Sequence, residues 1–129
     1  MTTLLLLLAC SGPDDSAVIN GGDPYIKLLS PTEGDVVCGT PLSVAVEVAN
    51  IVLVAPVEDP TTAEPGTGHV DIALNGQDAS MIWTEQTDIS EVADGEWQLK
   101  VELANADHSP VDPYAGDLAY ITVSAAECP

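Results

Sequence analysis

The segment Leu42-Ser43-Val44-Ala45-Val46-Glu47-Val48-Ala49 alternates a branched aliphatic residue with a small or polar one, without a break. A period of two places Leu42, Val44, Val46 and Val48 on one face of an extended strand, with one face buried and the other wet. Two further segments repeat the pattern. Val70, Ile72 and Leu74 alternate with His69, Asp71 and Ala73. Trp97, Leu99, Val101 and Leu103 alternate with Gln98, Lys100, Glu102 and Ala104. No helical period of useful length occurs.

Working outward, Tyr25 to Leu29 reads as a first strand. The turn-rich Ser30-Pro31-Thr32-Glu33-Gly34-Asp35 leads into Val36-Val37-Cys38. Asn75-Gly76 ends the strand led by His69 with hairpin chemistry. Met81 to Thr84, Thr87 to Ile89 and Leu118 to Val123 complete the set. Gly, Pro, Asp and Ser dominate residues 11–24, which read as a linker. The chain of 129 residues suits one domain. About seven short strands separated by turns predict an all-β, immunoglobulin-like β-sandwich of antiparallel strands over residues 25–129.

Local sequence agrees. Ile89-Ser90-Glu91-Val92-Ala93-Asp94-Gly95-Glu96-Trp97 resembles the turn before strand F of many immunoglobulin-like and fibronectin-like domains, with Trp97 where Tyr usually stands. The Cys…Trp…Cys core of antibody domains is absent.

Charge excludes some functions. Two basic residues stand against 21 acidic ones, a net charge of −19. Such a surface repels a phosphate backbone, so nucleic acid is not a partner, and it disfavours a basic-patch contact with membranes. It suits cationic partners, divalent metals or a salty medium, or simply a soluble acidic coat.

The N-terminus ends a run of five leucines, Leu4 to Leu8, in Leu7-Leu8-Ala9-Cys10. This resembles the lipobox of bacterial lipoproteins. The resemblance implies that residues 1–9 are a signal remnant, that Cys10 is lipidated, and that residues 10–24 form a flexible acidic tether. Ser11 after the cysteine implies the outer membrane, on its periplasmic or surface face. With Cys10 so used, Cys38 and Cys128 are an even pair in an oxidising compartment, and a disulfide is expected. In immunoglobulin-like folds the strand at Val36–Cys38 runs parallel to the last strand, which brings the two cysteines together.

Only two histidines exist, His69 and His108. His69 opens the strand expected to be C, and His108 follows the strand expected to be F. These strands pair antiparallel, so the two imidazoles should approach. Parity puts His69 and Asp71 on the outward face. His69, Asp71 and His108 could bind Zn²⁺ or Cu²⁺, since imidazole and carboxylate suit both. Glu58, Asp59, Glu64, Asp107 and Asp112, in the loops at that end, could instead hold Ca²⁺. The plainer alternative is that His69 packs at the sheet edge or bonds a loop carbonyl while His108 shapes the turn before Pro110. Residues 30–123 also resemble a group of bacterial exported domains with a Gly-His-x-His strand, through Ser30-Pro31-Thr32-Glu33-Gly34, Thr67-Gly68-His69-Val70-Asp71, Asp94-Gly95-Glu96 and His108-Ser109-Pro110. Asp71 stands where that group has its second His.

No nucleophile motif stands out. Trp97 has inward parity and reads as core. Trp83 could offer a carbohydrate platform if exposed. The sequence therefore predicts a non-catalytic, lipid-anchored binding or structural module of the bacterial envelope, partnered by the membrane and by an envelope protein or glycan. It needs no cofactor, unless a divalent metal binds at His69, Asp71 and His108.

Overall fold

A computed structural model describes residues 22–129. The expected signal remnant, Cys10 and the linker up to residue 21 lie outside the described residues. Nine strands follow in chain order: β1 (Tyr25–Ser30), β2 (Val36–Val37), β3 (Leu42–Ala49), β4 (Val52–Leu53), β5 (Thr67–Leu74), β6 (Gln77–Ile82), β7 (Gln86–Ile89), β8 (Gly95–Asn105) and β9 (Gly116–Val123). They form two packed sheets. One runs β1-β3-β7 and the other β2-β9-β8-β5, with β4 and β6 both against β5. This is the expected immunoglobulin-like β-sandwich.

The alternating residues make the core. Leu42, Val44, Val46 and Val48 of β3 are buried, and so are Val70, Ile72, Leu99, Val101 and Leu103 from the facing sheet. Each such side chain contributes about 1.5–3 kcal/mol relative to exposure. That force fixes register, because a one-residue slip would turn the whole apolar set to water.

Three details differ from the sequence reading. First, the strand expected at Met81–Thr84 is β6, Gln77–Ile82, and Trp83 and Thr84 lie in a bend. The cause is the turn. Asn75 (φ 51) and Gly76 (φ 82) are both left-handed, as a two-residue hairpin turn requires. Leu74 then pairs directly with Gln77, and the chain returns at once through polar residues that hide the period. Second, β4 is a two-residue strand that no alternation announces. Third, β4 pairs parallel with β5; the parallel pairing of β2 with β9 was expected.

The β2–β9 pairing carries the two chain segments toward each other, and Cys38 and Cys128 are disulfide-bonded, with Cα atoms 4.7 Å apart. Ninety residues separate them in sequence.

Carboxylates take up backbone N–H groups where strands lack a neighbour. Leu28 N donates to Asp117 Oδ2 at 2.9 Å. Val48 N, beyond the end of the β3–β7 pairing at Ala45–Gln86, donates to Glu85 Oε2 at 2.9 Å. Tyr120 N donates to Glu33 Oε1 at 2.9 Å.

Candidate functional site

Strand β5 pairs antiparallel with β8, with Gly68 opposite Asn105, His69 opposite Ala104 and Asp71 opposite Glu102. The start of β5 therefore lies beside the turn that ends β8. At Gly68 the strands come very close: a Cβ there would strike the Ala104 carbonyl oxygen and lie 2.7 Å from Ile51 Cδ1. Only glycine lets the backbones meet at that spot, one residue before His69.

After β8 the chain turns tightly. His108 N donates to Asn105 O at 2.8 Å, and Asn105 N donates to Ser109 O at 2.7 Å. This is a three-residue hairpin loop whose last position must be left-handed. His108 occupies it, with φ 73. Glycine would take that conformation without a steric penalty, and histidine is, with Asn and Asp, among the non-glycine residues that adopt it most often.

The two imidazoles meet as the strand assignment predicted. Their ring centroids are 5.1 Å apart with the planes at 64°, an edge-to-face contact. Parity also holds, since Val70, Ile72 and Leu74 point into the core and His69 and Asp71 point the other way. Exposure does not follow parity, however. His69 is 0 % exposed, while His108 is exposed.

Neither ring nitrogen of His69 has a hydrogen-bond partner. The expected alternative, a bond from His69 to a loop carbonyl, is therefore not what the structure contains. Nε2 lies 3.3 Å from Asp71 Oδ1, close enough for electrostatic attraction but not aligned for a hydrogen bond. Burial holds the His69 imidazole below its ordinary titration range, against the opposing pull of Asp71, and His108 adds to the depression. Burial likewise holds the Asp71 carboxyl above the usual carboxylate range despite His69. His69 is thus a neutral, buried and unsatisfied group at neutral pH.

Two of the loop carboxylates, Asp59 and Asp107, hold their own turns. Asp59 Oδ1 accepts from Thr61 N at 3.0 Å, and Asp107 Oδ1 accepts from Ser109 N at 2.9 Å. These bonds hold both carboxyls below their usual range. Among the described residues, no three His, Cys, Asp or Glu side chains stand together so as to enclose one ion as they are. His69, His108 and Asp71 come nearest.

Sequence reasoning missed Tyr114. Its phenol oxygen lies where a Cβ on Gly116 would be. Tyr114 is largely exposed; partial desolvation, and then the neighbouring Glu102, hold its phenol above its ordinary range. Glu102 in turn is 3.7 Å from Lys100 Nζ. The aromatic two residues before a strand-leading glycine was the available signal.

The tryptophans divide as parity suggested for Trp97. It packs against the core, and its indole N–H donates to Ala93 O at 2.9 Å, the backward bond that a tyrosine makes at this corner of immunoglobulin-like domains. Trp83 is 46 % exposed. It lines an open groove of about 700 Å³ beside β3, with Leu29, Leu53 and Glu85.

No protein-family model matches the chain, and no curated protein matches it either. Solved structures do resemble it. The fibronectin(III)-like modules of Clostridium thermocellum CbhA superpose with a TM-score of 0.52 at 16% identity, covering 77% of this chain and 95% of that one. The PKD domain of human KIAA0319 superposes more loosely, with a TM-score of 0.42 at 13% identity over 88% of this chain and 91% of that one. The first likeness concerns the fold alone and supports the β-sandwich described above.

Proposed function

We propose that this chain is a lipid-anchored, non-catalytic binding or structural module of a bacterial cell envelope, held by an acylated Cys10. The observation that carries this reading is the use of cysteines. Cys38 and Cys128 are bonded to each other, so the remaining one of three is Cys10, directly after the leucine run. Structural disulfides belong to oxidising compartments, which fits an exported chain. Acylation at Cys10 would supply the tether, with more than one chain needed for a stable hold. By analogy of fold alone, the fibronectin(III)-like shape fits a module that binds or spaces, and the acidic composition supports a solvated life outside the membrane. Labelled palmitate tests the anchor: it should appear on the wild-type chain and vanish in Cys10→Ala. Label that persists in that variant sinks the proposal.

A further inference from the structure

We propose that His69, His108 and Asp71 form a binding site for one divalent transition-metal ion. The proposal does not depend on the lipid anchor. Its first support is His69 itself. A fully buried imidazole with neither nitrogen partnered is the kind of group that calls for an ion or a water to complete it. Asp71 Oδ1, 3.3 Å from Nε2, is a carboxylate oxygen placed off the hydrogen-bonding line.

That placement is the second support. Nε2 and Oδ1 are 3.3 Å apart. Two ligands bound at about 2.0–2.1 Å to a tetrahedral ion are separated by about 3.3 Å. The pair thus already has the spacing of two corners of a coordination shell.

His108 is the third. It holds a left-handed backbone conformation that glycine would adopt more easily, and that conformation keeps an imidazole beside His69 at 5.1 Å between ring centres. As placed, the three side chains do not enclose an ion; the exposed His108 ring must turn toward the His69–Asp71 pair on binding, to give a two-nitrogen, one-oxygen set with a fourth position for water. Such ligands select Zn²⁺, Cu²⁺ or Co²⁺ over Ca²⁺, which takes six to eight oxygens.

The test uses the full chain, stripped with EDTA and titrated with Co²⁺, read by its visible absorption and by calorimetry. One ion should bind per chain with a tetrahedral spectrum, and Zn²⁺ should displace it while excess Ca²⁺ should not. His108→Gly removes the ligand without endangering the fold, because its backbone conformation suits glycine. It should weaken binding at least tenfold, and His69→Gln should do the same. Absence of binding to the wild type, affinity unchanged in His108→Gly, or complete displacement by Ca²⁺ would each overturn the proposal. The last would mean that the acidic coat alone had held the ion.

Discussion

Replacing His69 by leucine should stabilise the metal-free protein. The imidazole sits at 0 % exposure with Nδ1 and Nε2 both unpartnered. As a neutral ring it buries one donor and one acceptor, and each unsatisfied group costs about 1–3 kcal/mol. Leucine has a similar volume and brings no polar atom, so the packing term is small. Asp71 loses an attractive neighbour but keeps access to water, its side chain being 35% exposed. The two groups cost about 2–6 kcal/mol together, and the lost attraction between Nε2 and Asp71 offsets part of this. The net expectation is a gain of about 1–3 kcal/mol, each kcal/mol raising the melting temperature of a domain of this size by about 4–8 °C. Urea unfolding followed by tryptophan fluorescence, at neutral pH in EDTA with the disulfide intact, measures it. His69→Ala provides the contrast: it also removes the polar atoms but opens a cavity, so it should fall well below His69→Leu. A loss of more than about 1 kcal/mol in His69→Leu would refute the reasoning, because it would show that the buried nitrogens have partners in solution.

The same residue sets a pH dependence. Burial holds the folded-state value of His69 below its unfolded value, so the neutral ring's contribution is complete above about pH 6.5, where the unfolded imidazole titrates. Stability should fall as pH drops below that point toward the folded value, and the step should be missing from His69→Leu in metal-free denaturation curves. Gly68→Ala should destabilise by about 1–3 kcal/mol or more in urea, since its Cβ would strike the Ala104 carbonyl and crowd Ile51; a neutral result would mean that β5 and β8 are less closely apposed than described. Replacing Cys38 and Cys128 together by serine should lower stability by about 2–5 kcal/mol, because the bond closes a separation of 90 residues. Trp97→Phe should lose about 0.5–1.5 kcal/mol with its indole bond to Ala93 O, and thermal melts would detect the change.

Strands β3, β5 and β8 were legible in the sequence because each has one dry and one wet face, and burial of the dry face writes a period of two. Strand β6 was misplaced for the opposite reason. Gln77, Asp78 and Ala79 are all exposed, so no apolar rhythm marks its start, although Asn75-Gly76 had already announced an immediate return. Strand β4 is too short to have a period. At the site, parity brought His69 and His108 to one end, because antiparallel neighbours must match start to finish. It could not show that His69 is buried. Parity assigns a side chain to a face, and burial depends on what then covers that face. The left-handed conformation of His108 was only weakly signalled, since histidine is enriched at such positions but is far less diagnostic than glycine.

The carboxylates of Glu33, Glu85 and Asp117 each occupy a strand's outward amide. An open sheet border is a template onto which another copy of the same chain can add itself, and crowding makes that addition more frequent. Here a would-be intruder must first evict a bound acid, and it would bring many more acids of its own. At these three positions the acids guard the sheet border against the chain's own kind as well as keeping it dissolved.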